Sequence, residues 1–178
     1  ARSHAQELLA LNEASNALIG TTKKADIYKA VCEQAWKLFE LRLVWLGIAR
    51  EEDHRVQPVA HEGYDEGYLS RITAAWDDSP EGRGPAGMSI KTGKPYLLKV
   101  DDPAFGPGSA EAKKRGYAVM LGVPLICSRR QCLGALLLYS GNADYFTPDK
   151  IQLCEVFANQ AATALENARL VDGLEAEI

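Results

Sequence analysis

Two stretches decide the fold: Val119-Met120-Leu121-Gly122-Val123-Pro124-Leu125-Ile126 and Leu133-Gly134-Ala135-Leu136-Leu137-Leu138-Tyr139-Ser140. Both are short apolar runs bounded by polar turn residues, the pattern of paired strands rather than of helices. Six residues join them, Cys127-Ser128-Arg129-Arg130-Gln131-Cys132. With Arg129-Arg130 as the turn, Cys127 and Cys132 face each other across the hairpin, within reach of a disulfide. The pair is either a redox switch or two small residues at a hairpin mouth. Side chains alternate along a strand, which sets Met120 and Gly122 on one face and Leu121 and Val123 on the other.

Upstream of the hairpin, residues 42–49 form a near-continuous apolar run suited to a central strand. Residues 55–61 read as its partner, with Pro58 marking a sheet edge, and residues 96–100 as a short further strand. Helical spacing of apolar residues appears over 4–19 (Leu8, Leu11, Leu18) and over 25–39 (Ile27, Val31, Ala35, Leu38), with Thr22 as a cap for the second helix. Thr147-Pro148-Asp149 starts a last helix that runs to Ile178, with Thr at the cap and Pro at the first helical position.

Leu153, Val156, Phe157, Ala161, Ala164 and Leu165 give that helix a core-facing stripe. Ala168, Val171, Leu174 and Ile178 continue the stripe past it. A helix of ~45 Å outruns a domain of this length. Its surplus stripe either pairs with the same helix of a second copy or packs back on 4–19.

Residues 62–117 are irregular, with clusters of Gly and Pro at 79–87, 93–95 and 103–108 and short helices expected at 65–71, 85–92 and 109–115. An insert of this length is a loop system with a function. The order predicts an α+β fold: a central antiparallel sheet of about five to six strands, the N- and C-terminal helices on one face, and the insert over the other, enclosing a ligand pocket.

The 178 residues carry 20 Lys+Arg against 24 Asp+Glu, a net charge of −4. That balance argues against nucleic-acid binding and against a polybasic membrane anchor. No apolar run approaches the ~20 residues of a membrane span. The four cysteines, Cys32, Cys127, Cys132 and Cys154, form no C-x-x-C and read as reduced thiols of a cytoplasmic protein. The chain is expected to be a soluble piece of a larger protein.

Segments in order along residues 41–170 resemble a GAF domain, the small-molecule sensor module of signalling proteins. The hairpin strands 42–48 and 57–63 are similar to its opening. Gly84-Pro85-Ala86-Gly87-Met88-Ser89-Ile90-Lys91-Thr92-Gly93-Lys94-Pro95 resembles its mid-domain helix and turn, and Asp101-Asp102-Pro103-Ala104-Phe105 a shortened form of its acidic loop. Gly116-Tyr117, Gly122-Val123-Pro124-Leu125-Ile126 and Leu133-Gly134-Ala135-Leu136 resemble its best-marked hairpin. Phe146-Thr147 through Ala164-Leu165-Glu166-Asn167-Ala168 is similar to its closing helix.

The stretch 71–85, including Trp76-Asp77-Asp78-Ser79-Pro80-Glu81-Gly82-Arg83-Gly84-Pro85, resembles the variant beside diguanylate cyclase or histidine kinase modules in bacterial sensors. Gly106-Pro107-Gly108-Ser109 departs from it, standing where that variant often has an aromatic residue and an Arg. The resemblance implies a linker helix over 1–20, a sensor domain over 21–168 and a signalling extension over 169–178. It further implies a non-catalytic domain of a two-component or cyclase-associated protein, acting as a homodimer through its terminal helices. The alternative is a ligand-free dimerisation spacer.

Gly82-Arg83-Gly84-Pro85-Ala86-Gly87 fits G-x-G-x-x-G, but a polar loop precedes it where a dinucleotide site needs a parallel strand. It reads as a tight turn into a helix, with Arg83 and the free amides there as an option for an anionic group. Of eight aromatics, Trp45, Tyr64, Tyr68, Trp76, Tyr96, Phe105, Tyr117 and Tyr139, most fall in the insert or beside it. Pockets combine apolar walls with few polar tips. The ligand contacts are accordingly assigned to Trp45, Tyr64, Trp76, Arg83, Met88, Tyr96, Phe105, Tyr117, Met120 and Tyr139. The ligand is not specified, and no cofactor or metal is assigned. His61 reads as an ordinary imidazole. An enzyme branch of the resembled family reduces free methionine sulfoxide with a Gly-Val-Cys-Gly thiol. Gly84-Pro85-Ala86-Gly87 stands there, with Ala86 in place of the cysteine.

Overall fold

Alternation along three strands builds the domain, as seen in a computed structural model that describes residues 3–19 and 23–177, with side chains of the last helix described to residue 169. The strands are β1 (Leu43–Ala49), β2 (Val56–Gly63), β3 (Tyr96–Lys99), β4 (Val119–Ile126) and β5 (Cys132–Ser140). They form one antiparallel sheet in the order β2-β1-β5-β4-β3. β2 is an edge, which suits Pro58, because an edge strand has backbone positions that need no ladder donor.

Val44 and Leu46 of β1, Leu121, Val123 and Leu125 of β4, and Leu136 and Leu138 of β5 point to one face. Against it pack α1 (His4–Leu18), α2 (Lys24–Leu38) and α6 (Pro148–Glu177). Leu43, Trp45, Met120, Ala135, Leu137 and Tyr139 point to the other face, under the insert. The insert carries α3 (Tyr68–Arg71), α4 (Pro85–Thr92), α5 (Ser109–Lys114) and 3₁₀ turns at Pro80–Gly82 and Pro103–Phe105. Two separate apolar cores thus share one sheet.

Helix ends follow side-chain chemistry. The Ser3 hydroxyl accepts from Gln6 N and Gln6 Oε1 accepts from Ser3 N, a reciprocal cap for α1. Thr147 Oγ1 accepts from Lys150 N at 3.3 Å and Pro148 opens α6. Thr22 lies outside the described residues; the cap position of α2 is Lys23, which makes no side-chain cap bond.

Three expectations need correction. On α1 the buried residues are Leu11, Ala14 and Leu18, while Leu8 is 48% exposed, because the neighbours of α1 meet a face rotated away from Leu8. On α6 Val156 is 38% exposed, whereas Ala168 is buried in the domain's own core and is not surplus stripe. The side chains at 171, 174 and 178 lie outside the described ones. At the hairpin tip, a register shift after Leu125 pairs Ile126 with Cys132. Cys127 N donates to Gln131 O, and Arg130 takes a left-handed conformation (φ 60°). Leu133 is the extra residue, a bulge in β5 that sets Cys127 opposite Gln131 and not Cys132, and both thiols are free.

The tip is fastened to α6: Ser128 N and Oγ donate to the Glu166 carboxylate at 3.1 and 2.6 Å. These bonds hold that carboxyl below its ordinary range. No described helix is long and apolar enough to cross a membrane.

Candidate functional site

β1, β5 and β4 lay Trp45, Tyr139 and Met120 side by side on the insert face of the sheet. Above them the insert leaves a cavity of about 200 Å³. A cavity of ~150 Å³ holds a benzene ring, so this one suits a somewhat larger small molecule. Its floor is Trp45, Met120, Tyr139 and Tyr68; its walls include Ile72, Thr73, Ala74, Phe105, Pro107 and Gly108; Gly84, Pro85 and Ala86 close one side. The charged lining residues are Arg71, which is exposed, and Glu81.

Close approach of α4 to the sheet sets that roof. A Cβ built on Gly122 would stand 2.4 Å from Pro85 O, so only glycine lets the start of α4 rest on β4. The G-x-G-x-x-G match has a related cause. Cβ atoms on Gly82 and Gly87 would meet Asp77 O at 2.1 Å and Ala75 O at 2.3 Å, so these glycines let the insert pack on itself.

The floor is a connected polar chain within an apolar setting. Trp45 Nε1 donates to Tyr139 Oη at 3.0 Å, and Tyr139 Oη donates to Tyr68 Oη at 3.2 Å. The Tyr68 ring meets Tyr139 and Tyr117 edge-on, at centroid distances of 5.5 and 5.2 Å. Burial pushes the Tyr68 hydroxyl up to about 12 and that of Tyr139 well above its ordinary value, so both stay protonated at neutral pH.

Behind Tyr68 lies Arg115, 8% exposed. Its guanidinium donates to Asp65 O (3.0 Å), Glu66 O (2.7 Å), Glu111 O (2.8 Å) and Glu111 Oε2 (2.8 Å), and sits 5.6 Å from the Tyr68 ring centroid. Arg115 clasps the start of the insert to α5.

Four of the ten residues assigned from sequence line the cavity: Trp45, Phe105, Met120 and Tyr139. The structure places the other six elsewhere. Tyr64 is 58% exposed, with Arg42 over its ring at 5.6 Å. Trp76 meets the His54 ring at a tilt of 47°, centroids 4.4 Å apart, and donates from Nε1 to Arg50 O, beside the β1–β2 turn. Arg83 is exposed, and Met88 and Tyr96 are half-buried outside the lining. Tyr117 is buried behind the floor and donates from its hydroxyl to Tyr64 O. Trp76→Ala is therefore expected to leave small-molecule affinity unchanged within twofold; a tenfold loss in a titration would put Trp76 at the site.

Sequence reasoning missed Arg115 and the segment Arg71–Ala74. No periodicity marks either one. The segment is placed by a single bridge, Arg55 to Ala75. Gly106-Pro107-Gly108-Ser109 read as a departure, yet Pro107 and Gly108 line the cavity, and the absent side chain at Gly108 leaves room there.

Burial also raises the Cys154 thiol and pushes that of Cys32 up to about 12. These thiols and phenols are raised acids, so the fold favours their neutral forms. Unfolded chains ionise them from about pH 8.5 for Cys and about 10 for Tyr. The stability so gained is complete below those values and is lost as pH rises towards 12. The urea midpoint is expected to fall between pH 7.5 and 10.5; an equal midpoint would contradict this.

Comparison with known proteins agrees with this architecture. The GAF domain of a phosphoenolpyruvate-protein phosphotransferase from Coxiella burnetii superposes with TM-score 0.76 at 18% identity, covering 96% of this chain and 99% of that one. Free methionine-R-sulfoxide reductase from Neisseria meningitidis, in complex with its substrate, gives 0.79 at 16%, covering 96% of each. The GAF domain of a putative sensor histidine kinase from Pseudomonas syringae pv. tomato gives 0.68 at 22%, covering 98% and 94%. At these identities the likeness shows the fold alone. No curated protein matches the sequence. The sequence model of the GAF domain matches residues 21–166, most of the chain, and the chain belongs to that family.

Proposed function

We propose that residues 21–168 form a non-catalytic sensory domain of a bacterial cytoplasmic signalling protein, of the two-component or diguanylate-cyclase-associated kind. A small molecule held between sheet and insert changes the order of the insert. The change passes through β4 and β5 to α6, whose extension over 169–178 acts on an output domain, with 1–20 as the entering linker. The observation that carries the reading is the cavity under a Gly- and Pro-rich insert, with the floor built on the same strands that support α6. Ala86 lines the cavity where the reductase branch implied by the sequence resemblance has its thiol, which supports binding over thiol chemistry.

The test is a thermal-shift panel of nucleotides and metabolites. A ligand at a hundred times its Kd adds ~2.7 kcal/mol, which raises Tm by about 5 °C or more in a domain of this size. Gly108→Phe should abolish the response. A Cβ there has only ordinary contacts (3.5 Å and beyond), at φ −79°, so the ring has room to fill the cavity. A flat panel in the wild type would favour the spacer module.

Pairing of terminal helices is supported by exposed apolar residues: Leu8, Leu9 and Ile19 on or just after α1, and Val156 on α6. Leu9→Glu with Val156→Glu is expected to shift sedimentation from dimer to monomer with the circular dichroism spectrum unchanged and Tm lowered only by the lost association. An unchanged dimer would place the interface elsewhere.

A further inference from the structure

The floor of the cavity contains one hydrogen-bond donor too many. Trp45 Nε1, Tyr139 Oη and Tyr68 Oη supply three protons, and the chain they form uses two: Trp45 to Tyr139 at 3.0 Å and Tyr139 to Tyr68 at 3.2 Å. Indole nitrogen is a donor only, so the direction of the first bond is fixed. The proton left over belongs to Tyr68, at the end of the chain, with no acceptor among the described residues. Tyr68 is 2% exposed and lines the cavity, so this proton faces whatever the cavity holds, water or a ligand. Its hydroxyl would lie 3.8 Å from a Cβ on Gly108, the wall position without a side chain. An apolar ligand that displaces water from this donor leaves it unpaired, at a cost of ~1–3 kcal/mol, and a ligand atom that accepts its bond avoids that cost.

We propose that the ligand is an uncharged, ring-bearing molecule whose carbonyl oxygen or ring nitrogen accepts a hydrogen bond from Tyr68 Oη, its apolar body lying on Trp45 and Met120. This rests on the sensing role proposed for the same cavity. Charge is excluded from the deep end by its chemistry. A carboxylate there would be desolvated among aromatic rings, and the nearest buried cation, Arg115, is already bonded to two backbone carbonyls and to Glu111. The two charged residues in the lining, Arg71 and Glu81, are of opposite sign and favour no net charge.

Three matched probes test it by calorimetry at pH 7.5: 1-indanone, indane and indane-1-carboxylate. The wild type is expected to bind the ketone at least tenfold more tightly than the hydrocarbon, with the carboxylate weakest. Tyr68→Phe keeps the ring and its edge-on contacts, and should bring ketone and hydrocarbon within threefold. The wild-type comparison needs no variant, so it holds even if Tyr68→Phe folds poorly. Equal affinity of the wild type for ketone and hydrocarbon would overturn the role of Tyr68 while leaving the cavity as a ligand site. Tightest binding of the carboxylate would overturn the uncharged class. Failure of all three probes to bind the wild type would overturn this inference, while the sensing role stands or falls on the nucleotide and metabolite panel.

Discussion

Gly122→Val is expected to lower the stability of the domain by more than ~3 kcal/mol, or to leave it unable to fold. The glycine is fully covered by Pro85, whose carbonyl oxygen would lie 2.4 Å from the first added carbon, with Ser89 Oγ at 3.0 Å. Neither neighbour yields easily. Pro85 is the first residue of α4, and Ser89 is buried and donates to Ala86 O at 3.0 Å. A branched side chain therefore either lifts α4 from the sheet or bends β4, and overpacking on this scale stands at the upper end of what single substitutions cost. Lifting α4 also removes the roof of the cavity, so a variant that does fold should lose any thermal response to small molecules. Urea denaturation followed by circular dichroism checks the first effect. A loss under ~1 kcal/mol would mean that α4 does not rest on Gly122 as described.

Arg115→Ala is the second large effect. The substitution leaves Asp65 O and Glu66 O without their donor and deprives Glu111 of the cation that helps hold its carboxyl below its ordinary range. The loss of these part-buried bonds, together with the lost packing against Tyr68, costs ~1–3 kcal/mol. The expected loss is about 2–3 kcal/mol, with faster hydrogen exchange over residues 64–72 than over β4 and β5, because the clasp binds the insert and not the sheet. Arg115→Lys should recover only part, since an ammonium cannot reach several acceptors in a planar fork. Uniform loss of protection across the sheet would mean that Arg115 supports the whole fold.

Both effects concern residues that the linear sequence marks unevenly. The sheet was readable because strand alternation is local: Met120 against Leu121 and the apolar run at 42–49 place their own side chains. Gly122 was visible as a cavity-facing position, but its contact with Pro85 depends on a helix 37 residues earlier in the chain. Aromatic content marked the insert as a loop system without fixing where each ring points. Trp76 turns to His54 because Ala75 bridges to Arg55, and Tyr64 turns to Arg42 at the exposed end of an edge strand. Both placements come from pairings distant in sequence. Arg115 carried no signal, because a guanidinium in a charged helix reads as a solvated one. The cysteine pair was misplaced for a smaller reason: a bulge at Leu133 shifts the register by one, so Cys127 meets Gln131.

A crystal structure grown with 1-indanone tests the account most directly. It is expected to show the ketone lying on Trp45 and Met120, its oxygen within hydrogen-bond distance of Tyr68 Oη and the insert closed above it. Side chains of the insert packed solidly onto those rings, with the probe excluded, would contradict it.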